Sequence, residues 1–420
     1  MSRAGLGTAR LAFLAALSCV VACGTTVDSL GSGETERPGN DVPASVMLGP
    51  LRGPTTYPNP LRDLLALERG DIDAKIEETF RRLFEGDPVM ERIYLGVGED
   101  QGFVLDVLHS DVRTEGMGYA MMITVQLDKR DYFDRLWSYA KQALPYREGA
   151  NEGYYRSSCM VGGEPQPCAD PFGPQQFAMA LIFAHGRWGD EPGRIDYAAD
   201  ALALLEILRD KERVNGLGDG VTNMFDEDAK LVLDVPETAA AGRTRPSIEM
   251  PAYYELWAQA TGDAFWSDAA EAAREHWART AHERTGLMPL RATFEGMPVQ
   301  GSEGFEPESY RALINIALDS IWFGEHDWHV DNANRLLATF VSPEKIGTSY
   351  ELNGTPRTTQ QDAALVFAAG AVATIATANT RQNYLTAAWE MDFPTGAPRY
   401  YAGLIQLLSL LVMSGQYRVY

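Results

Sequence analysis

The constraint that most limits this chain is a long succession of helical segments with almost no strand signal. From Asp71 the residues Ile72, Ile76, Phe80, Leu83 and Phe84 fall on one helical face, and Gly86-Asp87-Pro88 stops that helix. Further helical stretches follow: Glu115 to Leu127, Tyr132 to Tyr139, Phe177 to Ala184, Ala199 to Leu208 and Tyr253 to Ala260. Trp266, Ala269, Ala270, Ala273 and Trp277 continue the same spacing. Ala312 to Trp322, Ala333 to Phe340, Ala363 to Ala376, Tyr384 to Trp389 and Gly403 to Ser414 complete about a dozen segments. Loops with Gly, Pro and Asn join them. Alternating patterns are scarce, and Lys230 to Val235 is the best candidate for a small hairpin. Ala363 to Ala376 is apolar on nearly every face, as a helix packed on both sides must be. The expectation is an all-α toroid of helix pairs, with an irregular helical bundle as the alternative. No repeat is strong enough for a solenoid. The stretch from Ala281 to Pro289 reads as a helix end, a turn and a re-entry loop, and such loops collect function at one mouth of a toroid.

Composition bounds the partners. An apolar fraction of 45% in 420 residues supports a large core. The formal net charge of −22 argues against a nucleic-acid partner, because phosphate binding needs clustered Lys and Arg. It suits a soluble domain acting on a neutral substrate. The first residues carry Arg3 and Arg10 and then an apolar stretch from Leu11 to Ala22. That pattern reads as a secretory signal and is too short for a membrane span. Val20-Val21-Ala22-Cys23-Gly24 resembles a bacterial lipobox, which makes Cys23 the lipid-carrying residue after processing; an ordinary signal peptide is the alternative. The expected organisation is a lipoprotein signal over 1–23, a flexible Gly/Ser/Thr/Pro tether over 24–56 and one domain over 57–420. The chain is then an exported, membrane-anchored bacterial lipoprotein, on the periplasmic face or the cell surface. Cys159 and Cys168 flank a Gly/Pro loop and are candidates for a disulfide, with two free thiols as the alternative. No His cluster accompanies them, so no zinc site is expected.

The chemistry points to Asp111-Val112-Arg113-Thr114-Glu115-Gly116-Met117-Gly118-Tyr119 and the apolar run behind it. A helix opening on Glu115 holds that carboxyl at its N-terminal end while its other side is buried. Hydrolysis of a glycosidic bond by inversion needs such an acid and a second carboxylate about 6.5–9.5 Å away to activate water. The acid needs a raised pKa; Asp111 nearby raises it and Arg113 lowers it.

This stretch resembles the general-acid motif of glycoside hydrolase family 8. Met121 to Lys129, Phe183 to Gly189, Trp266 to Trp277, Tyr310-Arg311 with Asn315 to Asp319, and Tyr400-Tyr401 through Arg418 extend the resemblance over about residues 57–420. The branch it is most similar to releases xylose from the reducing end of xylo-oligosaccharides. The resemblance implies an (α/α)6 barrel and an inverting hydrolase of β-linked polysaccharide or oligosaccharide, with no metal or cofactor. It implies Glu115 as the general acid. Glu308 falls where the family carries an Asp as base, one methylene longer; the plain reading of Glu308 is a solvated residue in the acidic loop with Glu303 and Glu306.

The resemblance also gives Tyr119, Asp111, Arg113, Asp170, Tyr310, Arg311 and Asp362 as candidates for substrate contact. Tyr310 and Arg311 would orient the base or the sugar, and Asp170 and Asp362 are reserve bases. Asp362 opens an apolar helix, so an N-cap is its default role. Tyr119 has a core position as its alternative, and Trp137, Trp188 and Trp277 read as core. Three departures stand out. Phe172 occupies the place of a sugar-contacting Asp, Ser157 that of a Trp, and Glu249 and Asp362 those of two His at the xylose site. Those changes imply another sugar or lost activity. The second reading is therefore a non-catalytic carbohydrate-binding lipoprotein on the same scaffold, and the third a purely structural one.

Overall fold

A helix buried on every face needs neighbours on every side, and six such helices in one chain can satisfy one another only by closing a ring. The computed structural model describes residues 48–160, 168–191, 194–324 and 327–420. After one helical turn, α1 (Pro60–Asp63), come α2 (Arg69–Glu85), α3 (Thr114–Gln126), α4 (Arg130–Ala143), α5 (Phe172–Trp188), α6 (Tyr197–Asn215) and α7 (Pro251–Thr261). Then follow α8 (Ala264–Thr280), α9 (Arg311–Phe323), α10 (Asp327–Thr339), α11 (Ala363–Ala373), α12 (Arg381–Glu390) and α13 (Arg399–Met413). The helices α3, α5, α7, α9, α11 and α13 contact one another in that order, and α13 returns to α3. These inner helices are buried almost throughout, α11 on every residue from Ala364 to Ala373. The helices α4, α6, α8, α10, α12 and α2 bury one stripe each against the ring. This is the expected (α/α)6 barrel. Among the described residues no helix is long and apolar enough to cross a membrane.

The connections are unequal, and that inequality creates a mouth. Short links such as 127–129 and 262–263 join inner to outer helices at one pole. Long segments such as 144–171, 216–250 and 281–310 lead back to the N-terminal ends of the inner helices at the other pole. They carry the only strand pairs among the described residues: β1 (Tyr94–Val97) with β2 (Gln101–Val104), β3 (Asp111–Arg113) with β4 (Ser158–Met160), and β5 (Arg243–Thr244) with β6 (Ala292–Thr293). The hairpin expected over Lys230 to Val235 reduces to a turn closed by one bridge, Phe225 to Val232. Side-chain alternation there is too short to extend a ladder.

Two other expectations need correction. Leu48 to Thr56 falls in the expected tether, yet the Gly49 amide donates to the Ala260 carbonyl at 2.8 Å and the Arg52 amide to Gln259. Leu48 and Leu51 pack on the core. The chain therefore docks at the C-terminal end of α7, the pole opposite the mouth. The Cys159–Cys168 disulfide is absent, and Cys168 is a free thiol. Antiparallel pairing of Arg156 with Ala169 sets Cys168 across from Ser157, whose amide donates to its carbonyl, and so places it out of register with Cys159. Cys23 and the whole of 1–47 lie outside the described residues.

The two glycines of the Glu115 motif are there for close approach. A Cβ on Gly116 would collide with the Tyr400 hydroxyl, and one on Gly118 would sit 2.5 Å from the Gln176 Cβ. They let α13 and α5 close on the start of α3. Replacing Gly118 by Ala gains about 1 kcal/mol of helix propensity but overpacks the α3–α5 contact, at a cost of about 1–3 kcal/mol. Overpacking wins because the clashing atom is a Cβ, which moves only with its backbone. We predict net destabilisation of Gly118→Ala in urea unfolding; an unchanged or higher midpoint would refute this account of the motif.

Candidate active site

The N-terminal ends of the inner helices bring the carboxylates together. Strand β3 delivers Arg113 to the N-cap of α3, and the Thr114 amide and hydroxyl both donate to the Ser157 carbonyl across the β3–β4 pair, at 3.1 and 3.2 Å. Glu115 is thus the second residue of a pinned helix, as the sequence leads one to expect. On the facing side, Glu306 and Ser309 form a capping box around the single 3-10 turn Pro307–Tyr310, which fixes Glu308 just before α9.

Arg311, the first residue of α9, stands between the two. Its side chain is only 3% exposed. Nη2 lies 2.8 Å from the Glu308 carboxylate, and Nε donates to the Glu308 carbonyl at 3.1 Å. Nε also lies 3.5 Å from Glu115 Oε1, an ion-pair distance and not a hydrogen bond. Its guanidinium covers the ring of Phe172, 4.5 Å from the centroid, which in turn meets Tyr119 edge-on at 5.5 Å. Two carboxylates on one guanidinium have their facing oxygens closer than the upper limit of an inverting pair, about 9.5 Å.

The two glutamates are electrically unlike. Burial pushes Glu115 above the usual carboxylate range; Arg311 opposes that, Glu308 and Asp170 add to it, and Arg113 opposes it weakly. Its Oε1 is sealed from solvent with no hydrogen-bond donor. Burial of this kind favours the neutral form of a carboxyl over the charged one. Glu308 is half-exposed. Its partial burial works against charge, but Arg311 and Arg245 outweigh that and hold it down at about 2. The two environments pull the carboxyl groups in opposite directions, which is the division an acid–base pair requires.

The remaining candidates separate. Asp111 and Asp106 both grip Arg113 Nε at 3.0 Å, so Asp111 fixes Arg113 and is not among the charges that set Glu115. Asp170 enters the site: one oxygen caps the Phe172 amide at 2.8 Å and the other reaches Arg245 at 2.6 Å. Tyr119 is buried beside Glu115, and its hydroxyl is pushed up by burial first and by Glu115 second. Tyr310 is buried; its hydroxyl donates to the Thr348 carbonyl and lies 3.3 Å from Asp362, so its polar end is held by the protein. Asp362 caps α11 through the amides of Ala364 and Leu365, at 2.9 and 3.2 Å. Trp137 and Trp277 are core. Glu249 is not a wall of the site. It is wholly buried and accepts from Thr244 at 3.1 Å and Tyr254 at 3.3 Å.

Sequence reasoning missed Arg245, Tyr400 and Tyr401. Burial and the Glu115 charge hold both tyrosine hydroxyls well above their ordinary range, which places them around the acid. An open depression of about 370 Å3 lies against Glu308, lined by Leu290, Ser302, Glu306 and Arg357. A larger recess, about 780 Å3, opens on the outer flank between α4 and α6. Two of its carboxylates, Asp134 and Asp200, are tied to Arg194 and Lys141. Among the described residues no cluster of His, Cys, Asp and Glu could hold a metal ion.

The profile of the glycosyl hydrolases of family 8 matches residues 101–415. The reducing-end xylose-releasing exo-oligoxylanase Rex8A of Paenibacillus barcinonensis is 36% identical over 368 residues, 83% of this chain and 93% of that protein. A reducing end xylose-releasing exo-oligoxylanase of Halalkalibacterium halodurans is 34% identical over 83% of this chain and 91% of its own length. The chain belongs to glycosyl hydrolase family 8. The solved structure of Rex8A with xylose superposes with a TM-score of 0.80 over 87% of this chain and 98% of the other. This family 8 domain is accordingly an inverting O-glycosyl hydrolase, and the reading as a non-catalytic binder is not favoured.

Glu249 generates a prediction on stability. Burial pushes it up to about 8 against the donors that surround it. Its folded pKa is above its unfolded value, so the proton it carries contributes stability in full below about pH 4.3. That contribution is lost as pH rises through about 8. The whole loss across that span is on the order of 3–5 kcal/mol. Glu249→Gln should flatten this part of the stability–pH curve, measured by urea unfolding at pH 5 and pH 8. Equal slopes for the two proteins would contradict the assignment.

Proposed function

We propose that this hydrolase cleaves xylo-oligosaccharides, with Glu115 as general acid and Glu308 as general base. The observation that carries the assignment is the asymmetry on Arg311: a carboxyl whose near oxygen is sealed and undonated on one side and a doubly clamped carboxylate on the other. Glu115 gives its proton to the glycosidic oxygen as the bond to C1 breaks. Glu308 takes a proton from the water that attacks C1 from the opposite face. The sugar that gains the new hydroxyl therefore inverts, and both carboxyl groups end with their protons exchanged. Tyr119, Tyr401 and Arg311 border the cleavage point, and the depression beside Glu308 gives sugar hydroxyls polar partners in Ser302, Glu306 and Arg357. Xylo-oligosaccharide is the first substrate because the relatives with the highest identity reported above bear that name and a solved relative is complexed with an arabinofuranosyl-xylotetraose.

Glu115→Gln is isosteric and keeps the fold, but it cannot donate a proton. Its turnover of xylotriose, read as reducing ends released, should fall by about 10²–10⁴-fold. Near-wild-type turnover would remove Glu115 from the mechanism. Activity should be lost on the alkaline side as Glu115 deprotonates, while Glu308 stays ionised well into acid.

The lipoprotein reading belongs to the same proposal. A lipid on Cys23 and a tether ending where Leu48 docks would put the anchor at the pole opposite the mouth, with the cleft facing away from the membrane. In a bacterial host, Cys23→Ser should move the protein from the membrane to the soluble fraction. Membrane association that survives the substitution would overturn the anchor.

A further inference from the structure

We propose that Arg245 is a positioning residue for hydrolysis, whose buried guanidinium carries Glu308 on one terminal nitrogen and Asp170 on the other. The inference rests on the acid–base reading above and says how its base is held.

Arg245 lies at the end of β5, before a single 3-10 turn (Pro246–Ile248) that is fixed from behind. Trp277 donates to the Pro246 carbonyl at 2.8 Å, Asn315 to that of Ser247 at 3.1 Å and Gln175 to that of Ile248 at 3.2 Å. The residue is 5% exposed. Its Nη1 lies 3.0 Å from Glu308 Oε2, its Nη2 2.6 Å from Asp170 Oδ2 and its Nε 3.0 Å from Asp234 Oδ1.

A merely structural arginine would spend its charge on Asp234. Asp234 is shared with Arg291 at 2.7 Å, and Asp170 and Glu308 act on Arg245 more strongly than Asp234 does. The same Glu308 oxygen, Oε2, accepts from both guanidiniums. A glutamate has three side-chain torsions and, unheld, would sample many carboxylate positions. Two fixed guanidiniums select one. This is also why a base one methylene longer than aspartate can be tolerated here: the added reach ends on Arg245.

The clamp has an electrostatic consequence, and every charge facing the pair enters it. Glu308 faces Arg311, Arg245 and Arg291, with Glu115 and Tyr401 across from it. Glu115 faces Arg311, Glu308, Asp170 and Arg113 and the hydroxyls of Tyr119, Tyr400 and Tyr401. Arg245 itself faces Asp170, Glu308, Asp234 and Arg311, with the neutral Cys168 thiol beside it. Removing the Arg245 charge leaves Glu308 less stabilised as an anion and leaves more net negative charge around Glu115. Both carboxyl groups then hold their protons to higher pH.

The test is the pH profile of kcat/KM on xylotriose for wild type, Arg245→Gln, Arg245→Lys and Asp170→Asn. Arg245→Gln should lose about 10²-fold in kcat/KM, the scale of a small misplacement of the base. Both limbs of its profile should move up by about one pH unit. Arg245→Lys, which keeps the charge but not the fork, should keep the limbs near their wild-type positions and lose rate. Asp170→Asn should move both limbs down, because Arg245 then serves Glu308 alone and Glu115 faces less negative charge. A folded Arg245→Gln with reduced rate and unmoved limbs would reduce Arg245 to scaffold. If Arg245→Gln does not fold, unmoved limbs in Asp170→Asn overturn the proposal. Glu308→Gln tests the base directly: activity surviving that change sinks the acid–base reading itself, a result separable from any outcome at Arg245.

Discussion

The mouth of this barrel depends on burying one guanidinium, that of Arg311, where six helix N-termini converge. A buried cation is costly unless carboxylates answer it, and helix N-termini favour anions over cations. Arg311 therefore fixes what must surround it: Glu308 three residues earlier, Glu115 across the ring, and a flat apolar surface beneath, which Phe172 supplies. Each partner is set by its own local device. A capping box holds Glu308, a strand pair and the Thr114–Ser157 bonds hold Glu115, and Asp170 caps the helix that presents Phe172.

From that shared cation the chemistry follows by asymmetry. Both carboxyl groups are glutamates, so their difference is wholly environmental. Glu115 gets an ion-pair distance without a hydrogen bond, one sealed oxygen without a donor, and two neighbouring carboxylates. Glu308 gets short bonds from two guanidiniums and access to solvent. The inner helices make this possible because they leave no freedom behind the site: Gly116 and Gly118 bring α13 and α5 so close to the start of α3 that the acid cannot shift without moving the ring.

What was legible in the sequence was what repeats or what is local. The inner helices announced themselves through faces that are apolar all round, and Glu115 through its place at the head of one of them. The N-cap role of Asp362 was readable from the apolar run behind it, and the core positions of Trp137 and Trp277 from helical spacing. Contacts between distant segments were not legible. Arg245 is one arginine in a loop until the fold buries it beside Asp170 and Glu308, 75 and 63 residues away. Asp111 looked like a neighbour of Glu115, but the strand turns it toward Arg113. Glu249 looked like part of the wall, but two hydrogen bonds hold it in the core. The disulfide failed for the same kind of reason: nearness in sequence does not fix register, and the strand pairing set Cys168 opposite Ser157.

The stereochemistry of the first turnover separates the possible mechanisms most directly. Proton NMR of xylotriose hydrolysis at early times reads the anomer of the newly formed reducing end before mutarotation mixes the two. An acid at Glu115 and a water-activating base at Glu308 give the α anomer from the β-linked substrate. A β anomer appearing first would mean retention through a covalent intermediate, and would contradict the roles assigned to both glutamates.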